Sequence, residues 1–396
     1  MVMNNMKTID RKWDKATFAD IMSPAKVVLC GSRQDLPVLS ITMHDGIVEQ
    51  KDRFKKVIAS HDTSKYKVVK NGQLVIAFPI DEGLIYTQDI ASEGIMSPAY
   101  NVWDVNYENF DRRFLGLYFH SPFAMSYYKD NLRGTTQRRR ALPKEVLLSM
   151  PIPKPSLSKQ KEIVAELDGI SSCISILNAQ NSDLDTLAHS LFYDMFGDPI
   201  LNEKGWPVKP LIEIVKSNCP ITYGIVQPGE DIKDGVPVVR PVDMTETFIS
   251  HKGLKRTTKD ISDAYKRTIL KGTEILMCVR GRTGLLSLAT PQIKGCNVTR
   301  GITPIDCNEL NDVWFIYYQL KSDGIQRYIS DYTKGIALKQ INMEDVRRIP
   351  LISPDLSIQK IFASKISSIE ASKEALKLQI NEMQNLLASR MQYWFD

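Results

Sequence analysis

The chain has 396 residues, 43% of them hydrophobic and 24% charged, with a net charge of +5. This is an ordinary globular composition, long enough for two or three domains with real cores; its mild basicity permits a nucleic-acid partner without demanding one. The six cysteines (Cys30, Cys173, Cys219, Cys278, Cys296, Cys307) form no C-x-x-C pair and have no companion histidine spacing, which argues against structural zinc and for reduced, buried thiols. The N-terminal MVMNNMKTIDRKWDK has no apolar signal core, and no apolar run reaches the ~18 residues of a membrane span. A cytoplasmic protein, neither secreted nor membrane-embedded, is expected.

In chain order, the first patterned segment is KWDKATFADIM around Trp13, followed by the polar loop HDGIV (His44–Val48). QLVIAF (Gln73–Phe78) predicts a strand. FDRRFLGLYFHSPFAMSYY (Phe110–Tyr128) predicts aromatic-rich helix, its stripe more in keeping with a core than with a stacking surface. The basic loop TQRRR (Thr136–Arg140) precedes PIPKPSLSKQKEI (151–163), where a long helix begins. Ser156, after a proline, is a good N-cap, and Gly197 with Pro199 ends the helix. Its apolar positions step by four and three through Ile163, Leu167, Ile170, Ile174, Leu177, Asn181, Leu184, Ala188, Leu191 and Met195, an a/d heptad seam.

The remainder repeats this plan. PLISPDLSIQKIF (350–362) mirrors 151–163, and at one constant offset Leu157 matches Leu356, Gln160 matches Gln359, Leu167 matches Ile366, Leu187 matches Leu386 and Phe196 matches Phe395. A register held over the length of a helix marks an internal repeat. It extends backwards, with small shifts of the kind surface-loop indels produce: KNGQLVI (Lys70–Ile76) on KGTEILM (Lys271–Met277), Phe114 on Phe315, Tyr127 on Tyr328, Trp13 on Trp206. PVVR (Pro237–Arg240) and EILMCV (Glu274–Val279) predict strands, and Val313–Ile329 predicts the second aromatic helix. The second seam runs Phe362, Ile366, Ile369, Lys373, Leu376, Ile380, Met383, Leu387, Arg390, Trp394, after Asp355 as N-cap.

A helix of 40 residues spans roughly 60 Å and cannot bury its stripe on one small domain. Because a globular segment separates the two helices, they are expected to pair antiparallel, with Ile170, Ile174, Leu177, Asn181 and Leu184 facing Ile369, Lys373, Leu376, Ile380 and Met383. Asn181 and Lys373 are polar intruders that would meet near the midpoint, either fixing register or marking a frayed seam.

Basic and polar loops recur at equivalent places. In the first unit these are His44 and, just before the helix, Gln137, Arg138, Arg139 and Arg140. In the second they are TYGIVQPG with Tyr223 and Gln227, RGRTG with Arg280, Arg282 and Thr283, and KGIALKQ with Lys334, Lys339 and Gln340, to which Arg240 and Arg300 are added. Arginine and glutamine make bidentate contacts with guanine and adenine edges, whereas lysine serves more as a point charge on phosphate. RGRTG is weak as a phosphate loop, because neither G-x-x-x-x-G-K-[ST] nor G-x-G-x-x-G is present. H-E-x-x-H, G-x-S-x-G, a nuclease E-x-K after Pro354–Asp355, and a methylation motif better than SPAY (97–100) are all missing, so a non-catalytic chain is expected.

Two variable units alternating with two similar helices, begun by P-I-P…L-x-x-Q-K and P-L-I…L-x-x-Q-K, resemble the specificity subunit of a type I restriction–modification enzyme over essentially the whole length. FYDMFGDP…KGWP (192–207) and G-x-x-x-K-Q (Gly335–Gln340) carry the resemblance further, although the first unit has QRRRALP in place of the latter. The resemblance implies a mixed α/β fold: target recognition domains with twisted sheets at 1–150 and 199–349, and antiparallel coiled-coil spacer helices at 151–198 and 350–396. It implies double-stranded DNA as ligand, read as a bipartite asymmetric site. It also implies two methylation subunits plus restriction subunits as partners, and no cofactor in this chain, S-adenosylmethionine, ATP and magnesium being used by those partners. A two-headed coiled-coil scaffold that binds proteins, or an enzyme in its own right, are the competing readings. Salt-dependent retention on DNA and activity tests of the isolated chain separate them.

Overall fold

The structure, a computed structural model, describes residues 13–33, 35–43, 45–53, 62–133, 142–335 and 338–396. It is mixed α/β and divides into two compact units, Met1–Leu177 with Gln379–Asp396, and Asn178–Leu378. Each holds one globular head together with part of either long helix.

In the first unit, β1 (Asp14–Thr17), β2 (Met22–Pro24), β3 (Leu39–Thr42), β4 (Gly46–Glu49), β5 (Lys67–Lys70), β6 (Leu74–Ile76), β7 (Ile85–Thr87), β8 (Glu93–Met96), β9 (Asn101–Val105) and β10 (Pro151–Lys154) are all short. Among these, β2, β9, β6 and β7 form a four-stranded antiparallel sheet, while β3–β4 and β5–β8 are separate antiparallel pairs. The predicted Gln73–Phe78 strand is β6, fully buried. The predicted aromatic helix forms as two, α1 (Arg112–Phe119) and α2 (Pro122–Asn131). The break falls at Ser121–Pro122, because proline lacks the N–H that would continue α1, whereas at a first-turn position that N–H is not needed. Phe114, Tyr118, Phe119 and Tyr128 are fully buried, as a core stripe should be.

The second unit repeats the logic with β11 (Val208–Pro210), β12 (Val236–Val239), β13 (Lys255–Thr257), β14 (Ile275–Cys278), β15 (Leu286–Leu288), β16 (Asn297–Val298), β17 (Ile302–Ile305) and β18 (Pro350–Ile352). Strand β12 pairs antiparallel with β13 and parallel with β16, and β14 lies between β15 and β17, antiparallel to both. In each unit the first strand pairs antiparallel with the last, β1 with β10 and β11 with β18, so each head closes on itself before its long helix begins.

Those helices are α3 (Leu157–Phe196) and α6 (Leu356–Phe395), with α4 (Val313–Lys321) and α5 (Asp323–Asp331) as the second head's counterparts of α1 and α2. The repeated L-x-x-Q-K now has a cause. Gln160 and Gln359 are both fully buried. The Gln160 amide donates to the carbonyls of Asn109 and Pro155 at 3.0 and 2.9 Å, and its oxygen accepts from the Asp111 N–H at 2.7 Å. Gln359 does the same with Leu310 and Pro354, at 3.4 and 2.8 Å, and with the Asp312 N–H at 2.8 Å. Asp111 and Asp312 are the N-caps of α1 and α4, their carboxylates accepting from the second and third N–H groups of each helix. One glutamine per repeat therefore locks the start of a long helix to the cap of an aromatic helix. Ser156 Oγ accepts from the Lys159 N–H at 3.3 Å, and Gly197, at φ +75°, ends α3.

The helices run antiparallel within each unit. In the first, Lys159 lies 5.0 Å from the Trp394 ring centroid, while Glu166 accepts from Arg390 and from Trp394 Nε1. Hydrogen bonding to Arg390 holds the Glu166 carboxyl below its usual range, against the opposing effect of burial. In the second unit, Phe192 and Phe196 pack edge-to-face on Phe362 with ring centroids 5.7 and 5.4 Å apart, and Lys373 Nζ reaches Asp185 at 2.7 Å. Each such buried ring contributes about 1.5–3 kcal/mol through area alone.

Candidate nucleic-acid interface

Three strands of the second head end beside one another and carry its basic loops. Arg280 follows β14, Arg240 follows β12, and Arg300 lies between β16 and β17. RGRTG turns tightly: Gly281 and Gly284 have φ of +87° and +84°, and the Gly284 N–H donates back to the Cys278 carbonyl at 2.9 Å. This loop is laced to Lys334, Lys339 and Gln340. The Gly281 N–H donates to the Lys339 carbonyl at 2.8 Å, Arg280 bridges Gln340, and Lys334 and Gln340 exchange two backbone bonds of 2.8 Å. Thr333 Oγ1 donates to Thr283 Oγ1 at 3.1 Å. Two loops far apart in sequence thus form one body.

On the other side, Ile225 of the TYGIVQPG loop bridges Thr299 and accepts from the Arg300 N–H at 2.8 Å, which sets Tyr223 and Gln227 beside Arg300. Arg282, Arg300, Lys334, Lys339, Gln340, Tyr223 and Gln227 are exposed; Arg280 and Thr283 are half-buried. Arg240 differs, since its Nε and Nη2 grip the two Asp243 carboxylate oxygens at 3.0 and 2.7 Å, which raises its pKa further and commits one edge of its guanidinium. The cluster can therefore supply exposed cations, a bidentate arginine and a glutamine on a braced surface, the chemistry of phosphate contact and base-edge contact together. In the first head, His44, Gln137, Arg138, Arg139 and Arg140 lie outside the described residues.

The helix-pairing candidates fall in both units. In the first unit Ile170, Ile174, Leu177 and Met383 are half-buried and Ile380 is buried; in the second Asn181, Leu184 and Leu376 are half-buried and Ile369 and Lys373 buried. Asn181 and Lys373 line one cavity of about 600 Å³, with Asp185, Glu246, Arg282, Lys321 and Lys377 among the other walls. Lys373 turns to Asp185 and, at 3.0 Å, to Glu370, whose other bond is from the Tyr318 hydroxyl at 2.9 Å. Burial alone would lower the Lys373 pKa, but the Asp185 hydrogen bond and the Glu370 charge outweigh it and raise it. Asn181 Oδ1 is buried with no hydrogen-bond partner among the described residues.

Sequence reasoning left out Asp185 and Glu370, which hold Lys373, and Tyr318, which donates to Glu370, and gave no role to Gln160 and Gln359. The repeat itself was the signal for the two glutamines, because a polar residue kept at the same step of two copies implies the same bonds. Among the described residues no group of three or more His, Cys, Asp and Glu side chains is placed to hold a metal, and no helix is long and apolar enough to cross a membrane.

Residues 35–186 and 203–383 match the family described as the type I restriction modification DNA specificity domain. Two matches over most of a two-headed chain leave no doubt about the class: the chain belongs to that family. It is similar to the EcoBI specificity subunit of an Escherichia coli type I restriction enzyme, 23% identical over 304 residues. That match covers 70% of this chain and spans 63% of the length of the relative. Among solved structures it is similar to a chain from a study of complex assembly and conformational transition of the type I R-M system, at TM-score 0.60 and 17% identity, covering 97% of both chains. It is also similar to a type I restriction-modification S subunit from M. genitalium, at TM-score 0.55 and 12% identity, covering 98% of both. At these identities the structural likeness speaks for the fold.

Proposed function

We propose that this chain is the DNA-recognition subunit of a type I restriction–modification complex. The heads at 1–150 and 199–349 each read one half of a bipartite duplex site, and the helices at 151–198 and 350–396 dock two methylation subunits and the restriction subunits. Methyl transfer from S-adenosylmethionine and ATP- and magnesium-dependent cleavage belong to those partners, and this chain itself does no catalysis in the cytoplasm. The observation that supports this best is the convergence of Arg280, Arg282, Arg300, Lys334 and Lys339 on one laced surface at the strand ends of the second head.

Binding of the full chain to duplex DNA across a salt series tests the reading. Lys334→Ala is expected to weaken binding to all sequences alike and to flatten the salt slope by about one ion. Arg282→Ala is expected to cost about 1–3 kcal/mol on the preferred half-site and to relax preference at one base pair. Retention that ignores salt, or an Arg282→Ala protein with unchanged affinity and preference, would remove this loop from the reader. Weighing the complex with its methyltransferase partner in solution is expected to give two partner copies per chain; a saturated one-to-one complex counts against paired docking faces.

A further inference from the structure

The second head presents an apolar side chain among its cations. Val242 is 65% exposed, in the middle of the one-turn segment Pro241–Asp243. A lone exposed valine is ordinary on a solvated surface. This one stands on a turn braced from three directions. Arg240 holds Asp243 by its backbone N–H at 2.8 Å as well as by its guanidinium. The Arg282 guanidinium donates to the Pro241 carbonyl at 3.3 Å. Gly301, next to Arg300, lies so close beneath the turn that a Cβ there would come within 2.7 Å of Pro241 Cγ. Val242 is therefore fixed in position between the loops that carry Arg240, Arg282 and Arg300.

We propose that Val242 enters the major groove and reads a thymine through its 5-methyl group, an inference that rests on the DNA-recognition reading above. The surrounding cations draw phosphates to this surface and so bring the turn to the base edges. An isopropyl group placed there makes no hydrogen bond, and over an adenine, guanine or cytosine edge it leaves base donors or acceptors desolvated without a partner. The thymine methyl is the one apolar group that the major groove displays. The paired Arg240–Asp243 side chains act as the brace that keeps the valine at one height.

The test uses the full chain and a randomised duplex pool. Preferred duplexes are selected for the wild type and for Val242→Ala, a change that removes no buried contact. Affinity is then measured for the wild-type choice with each thymine in turn replaced by deoxyuridine. One such replacement is expected to weaken the wild type roughly three- to tenfold, the scale of a single buried methyl contact, and to leave Val242→Ala within about twofold. Val242→Ala should also lose its preference for thymine at that position on reselection. The proposal is overturned if deoxyuridine at every thymine affects both proteins equally, or if Val242→Ala selects the same thymine. A wild-type chain that enriches no sequence from the pool overturns the DNA-recognition reading itself, and this outcome is distinct from the other two.

Discussion

Replacing Gln359 by Leu is expected to destabilise the second unit by about 2–4 kcal/mol. The side chain is fully buried and of nearly leucine size, so packing changes little. Three backbone groups would each lose a partner: the Pro354 carbonyl in a buried bond, and the Asp312 N–H and the Leu310 carbonyl in part-buried ones. Each buried polar group left unsatisfied costs about 1–3 kcal/mol, and the loss falls on the cap of α4 and the first turn of α6 together. Gln160→Leu should do the same to the first unit, through Asp111, Asn109 and Pro155. Gln359→Glu keeps the acceptor for Asp312 but sets a buried carboxylate oxygen against the Leu310 and Pro354 carbonyls, so at neutral pH it should be at least as destabilising as Gln359→Leu. Urea unfolding with hydrogen exchange resolved along the chain reads both size and place. A Gln359→Leu protein with the wild-type midpoint, or one whose protection drops equally in both units, would show that these bonds do not secure the helix start.

Lys373→Met is expected to cost about 3–5 kcal/mol, because it leaves a buried carboxylate without its cation. Glu370 has only 5% of its side chain exposed and, among the described residues, keeps only the Tyr318 hydroxyl as donor once the ammonium is gone. Asp185, 46% exposed, is rehydrated at little cost. Adding Glu370→Gln removes the stranded charge while keeping an acceptor for Tyr318, and the double variant should recover most of the loss. The wild type also carries a pH signature. The Lys373 pKa is raised above its ordinary 10.5, so its contribution is fully present below that value and is lost as pH climbs through the folded-state pKa. Tyr318, pushed up by burial and by the Glu370 charge, acts in the same direction, so the informative quantity is the difference between wild type and the double variant above pH 10.5. A single variant as stable as the double would mean that the buried carboxylate does not need its lysine.

The amino-acid sequence alone determined the repeat, the two 40-residue helices, the faces they bury and the aromatic cores of the heads, because each is written in local periodicity. Ile163 to Met195 and Phe362 to Trp394 step at the spacing of a helix face, and every one of those seam positions is buried or half-buried. Lys373 was visible as a polar intruder for the same reason. Its partner was not: Asp185 lies on the other helix, and which carboxylate it meets depends on a register that sequence spacing does not contain. The same limit holds for the second head. RGRTG and KGIALKQ look like two separate loops, and Arg240 like one more exposed cation. The meeting of β12, β14 and the β16–β17 turn at one end laces the first two into a single surface, closes Arg240 on Asp243 and leaves Val242 standing between cations. Such convergence arises from backbone pairing between residues distant along the chain, so tertiary structure decided it.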